Sequence, residues 1–329
     1  IHVIWLGLAA PSSVSMAQED AFGPTPTQSE SVDENISMAT GHTQPIQSAP
    51  AVISIITAQQ IKNTGARDLY DVLQTVPGFF LGQNTFGAEP IITVRGFKSS
   101  YNQTVLVLLD GIPQTDHVSG DRFAVLGNVP LDIIERIEIM RGPGSALYGA
   151  DAFSAVINII TRVTPPDKTQ ITLDGGSQQT RDARLISGGH VGDFTIVGAL
   201  EYQETDGDAP FIVADTQTRL DALFGTRASL APGTANTHLG LLGAHLNVTS
   251  ENTTLMLRTS MGRDIGMGIG LAAALDPFGQ VDITTVEGKF EWRTHYGQNW
   301  NAKIQFNELF YQATLENAHY FPPGAFGVF

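Results

Sequence analysis

From residue 168 onward, apolar and polar positions alternate one by one over long runs, the period-two pattern of strands with two different faces. The pattern predicts seven strands, near residues 168–177, 181–191, 193–204, 237–250, 252–263, 281–296 and 299–316. In the sixth, Val286, Gly288, Phe290 and Trp292 share one face, and Glu287, Lys289, Glu291 and Arg293 the other. In the third, Phe194, Ile196, Leu200 and Tyr202 oppose Thr195, Glu201 and Gln203. Alternation alone fits a soluble β-sandwich as well as a barrel wall. Three further features favour a wall that spans a membrane. Most of the runs reach ten residues or more, against about 5–6 in an ordinary strand. The connections are short around Gly192 and Asp193, from Ser250 to Asn252 and from Gly297 to Asn299, but long at 205–236, at 264–280 and after 316, giving one rim of turns and one of loops. Tyr202, Trp292, Tyr296 and Trp300 place aromatics near strand ends.

The preceding segment reads differently. "AVISIIT" from residue 51 predicts a strand; Thr57 with Gln60 forms a capping box for the short helix "AQQIKNTG", which Gly65 ends. Leu69, Val72, Leu73 and Val76 make one face of a second helix, stopped by Pro77 and Gly78. Strands follow at 90–97, 104–111, 134–142 and 155–161, and the second and fourth are apolar on both faces, as in the middle of a small covered sheet. The expected architecture is an α+β domain over residues 51–165 followed by a transmembrane antiparallel β-barrel over 166–329, of which about seven strands are present. An odd count, where single-chain bacterial barrels use even ones, makes the chain a fragment in this reading.

"IHVIWLGLAAPSSVSMAQED" has an apolar core from Ile1 to Ala10 and small residues Ser15 and Ala17 where a signal peptidase reads, so residues 1–17 are expected to be an export signal truncated at its start. Residues 18–50, acidic and carrying Pro24, Pro26, Pro45 and Pro50, form a flexible leader. The balance of 18 basic and 33 acidic residues, with no Lys or Arg before Lys62, excludes a nucleic-acid partner. The absence of cysteine removes disulfides, thiol catalysis and cysteine-ligated metals. No other apolar run approaches the roughly 18 residues of a membrane helix.

The stretch "ERIEIMRGPGSALYGADAFSAVINIIT" offers a Gly-Pro-Gly turn between a strand and a helix-permissive segment, which invites a phosphate-loop reading. A dinucleotide fingerprint would need glycine where Leu147 stands, and a P-loop would need Gly-Lys-Ser/Thr. No Gly-x-Ser-x-Gly elbow occurs, and no two histidines have metal-ligand spacing; His238 and His245 fall on opposite faces of one strand. Neither an enzyme nor a metal site nor a cofactor is expected.

"LYDVLQTVPG", "ITVRGF", "VLLDGIPQ" and the long stretch above, in that order over about residues 51–162, resemble the plug domain of TonB-dependent outer-membrane receptors. The resemblance implies a plug seated in a barrel of about 22 strands, active uptake of a scarce ligand such as a ferric siderophore or other iron complex, and location in the outer membrane of a Gram-negative bacterium. It implies TonB with its inner-membrane energising complex as partner, outer-membrane lipid around the wall, and a monomer. Arg95 and Arg141 match motif arginines that face barrel carboxylates in that family, and Glu135 and Glu138 belong to the same plug-to-barrel ionic lock. "DENISMATG" resembles a TonB-contacting segment in position, giving Glu34, Asn35, Ile36, Ser37, Met38 and Ala39 as contact candidates. Phe86, Phe97, Tyr101, His117 and Arg122, in plug apices, are residue types that grip an aromatic or anionic chelate. Uptake of cobalamin or another non-iron ligand is the alternative. A passive porin or adhesin, or a soluble periplasmic binding module, would account for the strands but not for the plug motifs.

Overall fold

A computed structural model describes residues 2–7, 15–18, 35–36, 44–45, 52–83, 90–116, 120–122, 129–142, 144, 148–296 and 300–325. The plug opens with β1 (Val52–Thr57) and α1 (Ala58–Thr64). Thr57 N donates to Gln60 Oε1 at 2.8 Å and Gln60 N to Thr57 Oγ1 at 3.3 Å, the expected reciprocal cap, and Gly65 ends the helix at φ 67°. Asp68 caps α2 (Leu69–Gln74) through Asp71 N at 2.8 Å. A hairpin of β2 (Phe79–Gln83) and β3 (Pro90–Val94) follows, then β4 (Val105–Leu109), β5 (Ile112–Pro113), β6 (Ile134–Arg141) and β7 (Ala155–Thr161). Strand β2 is an addition to the sequence reading. Strand β3 stops short of the expected residue 97 because Arg95 and Gly96 adopt left-handed φ values of 51° and 85°.

The main plug sheet has the order β1-β6-β7-β4-β5, with β7 and β4 parallel. One face, with Val107, Ile137, Ile139 and Ile157, packs on Ile61, Leu69, Val72 and Leu73 of the helices; the other buries Leu106, Leu108, Met140 and Val156. Burial on both faces explains why β4 and β7 lack alternation.

The wall comprises β8 (Gln170–Gly175), β9 (Arg181–Val191), β10 (Phe194–Thr205), β11 (Leu239–Thr249), β12 (Thr253–Gly266), β13 (Gln280–Tyr296) and β14 (Trp300–Glu316). Each strand pairs antiparallel with the next in sequence. A bulge between Gly262 and Ile265, with Asp264 at φ 53°, carries β12 past the expected end at 263. The long connection before β11 holds α3 (Thr216–Phe224) and a two-residue pairing of Phe211–Ile212 with Gly233–Thr234, where the sequence reading has only loop. On the outer edge of β14, His2–Gly7 and Ser15–Gln18 pair antiparallel. An uncovered edge offers a row of backbone donors and acceptors to any extended segment within reach.

Burial separates the barrel from the sandwich. On β13 the buried side chains are Thr285, Glu287 and Glu291, whereas Val286, Phe290 and Trp292 are 44%, 40% and 38% exposed. A soluble sandwich would bury the apolar face; this wall turns it outward, as a lipid-facing surface requires. The plug lies against the inner face, where Ile186, Val197 and Ala199 of the wall join the cluster containing Val129, Leu131 and Ile133 of the plug.

Candidate functional site

Three plug connections meet at the end of the sheet where β4 and β7 begin. Ser154 N and Oγ both donate to Thr104 O at 2.8 Å, which draws 148–154 against 97–104. Phe97 and Phe153 form an edge-to-face pair with centroids 5.4 Å apart, each about half exposed. Tyr101 is half-buried nearby in sequence. Arg122, in contrast, is buried: its Nη2 lies 3.1 Å from Asp151 and its Nη1 donates to Thr115 Oγ1, so its guanidinium holds the connection together. Phe153 is not singled out by the sequence, because its partner Phe97 is brought to it only by the parallel pairing of β4 with β7. Phe86 and His117, and Glu34, Ser37, Met38 and Ala39 of the leader, lie outside the described residues. Asn35–Ile36 is extended and pairs with Gln44–Pro45.

The Gly-Pro-Gly turn has no amide to offer a phosphate at its glycines. Gly142 N donates to Ser154 O at 2.9 Å and Gly144 N to Ala152 O at 2.8 Å. Gly142 needs φ 125°, and a Cβ at Gly144 would sit 2.5 Å from Met140 Cε and 2.9 Å from Val156 Cγ2. The glycines serve a left-handed turn and a close approach beneath the plug's second core.

The same corner gathers the motif arginines. Arg141 donates to Pro77 O at 2.6 Å and to Ser54 Oγ at 2.9 Å, and Arg95 Nη1 lies 3.7 Å from where a Cβ on the adjacent Gly142 would stand. Among the described residues, neither arginine forms an ion pair with a carboxylate. Glu138 is fully buried within the plug, with Arg136 Nε 2.9 Å from its Oε1, and Glu135 lies 3.7 Å from the same guanidinium. Arg136, Glu138 and Met140 share one face of β6 and Ile137 and Ile139 the other, as the strand period predicts. Both glutamates thus lie beside the single Arg136 guanidinium of the plug, and among the described residues neither forms an ion pair with a wall strand.

The contacts that do cross to the wall come from other residues. Arg258 of β12 and Glu287 of β13 stand opposite each other in register, fully buried, with Nη2 and Nε at 2.8 and 3.1 Å from Oε2. Gln114 of the plug completes the group: its Nε2 donates to Glu287 Oε1 and its Oε1 accepts from Arg258 Nη2, both at 3.0 Å. Lys289 Nζ donates to Asp110 O at 3.0 Å, and Asn247 Nδ2 donates to Thr161 Oγ1 and Arg162 O at 2.8 Å. The Asp110 carboxyl accepts from Thr161 N and Oγ1; burial pushes it above the usual carboxylate range, against the opposing pull of those bonds and of Lys289 and Arg258. His245 is buried on the inner face, while His238 lies 3.5 Å from Asp206 at the loop rim.

Two carboxylates tie the loop rim together. Asp215 caps α3 through Thr218, accepts from Ser229 Oγ at 2.8 Å, and reaches Leu275 N of the next loop at 2.6 Å. Asp276 accepts from Gly279 N at 3.0 Å and from His319 N, beyond β14, at 2.9 Å.

Residues 45–156 match the family model described as TonB-dependent Receptor Plug Domain. The chain is 36% identical over 185 residues to the vitamin B12 transporter BtuB of Vibrio vulnificus, covering 54% of this chain and 28% of that protein. It is 38% identical over 165 residues to the iron-regulated outer membrane virulence protein of Vibrio cholerae, covering 46% and 24%. The chain thus spans about a quarter of the length of these curated relatives. In fold it is similar to the ferripyoverdine receptor of Pseudomonas aeruginosa, with TM-score 0.59, 17% identity and coverage of 92% of this chain and 40% of that one. Residues 45–156 are thus a TonB-dependent receptor plug domain, and the antiparallel wall that follows shares the fold of part of an outer-membrane receptor.

Proposed function

We propose that the protein containing this chain takes up a scarce ligand across the outer membrane in a TonB-dependent manner, and that the ligand is a ferric siderophore or similar iron complex. The observation that carries the reading is the plug seated on the charged inner face of an apolar-outward wall. Such an arrangement closes a pore and needs outside work to open it. The Phe97 and Phe153 pair, exposed at the end of the plug sheet, supplies an aromatic surface for a chelate, and the similarity to an iron-regulated protein of Vibrio cholerae supports an iron ligand. Similarity to a vitamin B12 transporter favours cobalamin as the second reading. TonB would engage the leader around Asn35 and Ile36 by pairing with an extended strand, and Arg95 and Arg141 would meet carboxylates on further wall strands.

Growth rescue of an iron-starved strain by the full-length gene, over a panel of iron chelates and cobalamin and with or without TonB, tests both readings. Rescue by an iron chelate only when TonB is present is expected; rescue that persists without TonB contradicts the mechanism. Ile36→Pro is expected to abolish energised uptake while leaving ligand binding intact, and unchanged uptake would remove the leader segment from the account.

A further inference from the structure

Among the described residues, no ion pair joins the plug to the wall. Arg122 pairs with Asp151 and Arg136 with Glu138 inside the plug; Arg258 pairs with Glu287, Lys289 with Glu291, and Arg184 with Asp174 inside the wall. Among the described residues, neutral groups on the plug form hydrogen bonds across the seam: the Gln114 amide, the Asp110 carbonyl, the Thr161 hydroxyl and the Arg162 carbonyl. Gln114 is the most enclosed of these. Its amide offers one donor and one acceptor, which complete the ring begun by a carboxylate and a guanidinium that already satisfy each other's charge.

We infer that Gln114 is the plug's latch on this wall, a neutral side chain held by a self-paired Arg258 and Glu287, so that the latch opens without separating that buried ion pair. Separating a buried ion pair across the seam would resist opening far more strongly than the loss of two hydrogen bonds. When the amide withdraws, the guanidinium keeps its carboxylate, and incoming water can take the place of the amide. A glutamate at 114 would set a second carboxylate against Glu287, and a lysine would compete with Arg258. The latch acts in the gating proposed above and rests on that reading for its purpose, but its opening is measurable without ligand or TonB.

Thr285 lies beside Glu287 on the inner face of β13, is 1% exposed, and its hydroxyl has no hydrogen-bond partner, so Thr285→Cys is a mild reporter. In the full-length receptor in bilayers, with no other free thiol and in sub-denaturing urea, maleimide labelling of this cysteine reads opening at the latch. Gln114→Met, of equal length but without polar atoms, is expected to label about tenfold faster than the parent, the size of effect two such bonds carry. Gln114→Glu at pH 8 should label faster still. The ratio of Gln114→Met to parent should stay constant as salt is raised, because the substitution leaves the Arg258–Glu287 pair intact. Labelling of Gln114→Met at the parental rate, or slower labelling of Gln114→Glu than of the parent, would overturn the latch. If Gln114→Met does not assemble, Gln114→Glu decides alone. Failure of TonB-dependent growth with the labelling pattern intact would instead count against the transport reading.

Discussion

In the wall strand β13, Thr285, Glu287, Lys289 and Glu291 turn inward while Val286, Phe290 and Trp292 turn outward; in the plug strand β7, Ala155, Val156, Ile157 and Ile159 are fully buried, on both faces. The two regions lie in contact, yet they solve opposite solvation problems. The plug excludes water from a two-sided apolar core, as a soluble domain does. The wall has hydrocarbon outside and a polar, plug-filled interior, so its charged residues occupy the positions that are sheltered in this chain. The lesson is that burial alone does not identify a core: what faces the buried side has to be read with it.

Replacing an apolar residue by a charged one separates the two regions most sharply. Ile157→Asp would place a carboxylate in the plug core, and an unpaired buried charge is expected to cost at least ~4 kcal/mol, unfolding the plug in chemical denaturation of the full receptor. In the wall, Phe290→Arg should cost ~2–4 kcal/mol in reversible folding into bilayers, less toward the rim, through contact with lipid rather than lost packing. Equal penalties in bilayers and in a water-soluble environment would break the comparison. A smaller effect is expected from Gly144→Val, which drives a Cβ against Met140 and Val156 and should cost ~1–3 kcal/mol of plug stability without changing wall assembly.

The weakest effect lies at the loop rim. Asp215→Ala removes the cap of α3 and the tether to Leu275, with a loss of ~1 kcal/mol read as faster hydrogen exchange over 206–238. Burial raises the Asp215 carboxyl, but the bonds from Leu275, Thr218 and Ser229 together outweigh it and leave it below its ordinary value. Thr226 Oγ1, with Ala228 N, Ser229 N and Gln217, lowers that of Asp221. For acids lowered in the folded state, the stabilisation is present above the unfolded pKa and is lost as pH falls through the folded one. Loop protection should therefore hold from pH 8 down to ~4 and decay only in stronger acid.

Much of this architecture is visible in residue order. All seven wall strands, the Thr57 cap, the Gly65 stop and the doubly apolar β4 and β7 follow from local period and turn chemistry, which act over a few residues. Strand β2 escapes because its five residues, enclosed by Pro77, Gly78 and the following connection, are too few to show a period. The site is less legible for a different reason. Arg258 and Glu287 can be placed on the inner face by alternation, but Gln114 reaches them only because the plug is folded against the wall, a contact between residues far apart in the chain. Likewise, Arg122 has the right chemistry for a ligand, and only its burial against Asp151 and Thr115 shows that it is already engaged.

The inverted wall is the central claim, and single-cysteine scanning of 285–292 in the full-length receptor in bilayers tests it most directly. Labels at 286, 290 and 292 are expected to collide with oxygen dissolved in the lipid, and labels at 285, 287, 289 and 291 to be shielded from it, giving a period of two. Lipid contact at the odd positions, or no alternation at all, would contradict the account.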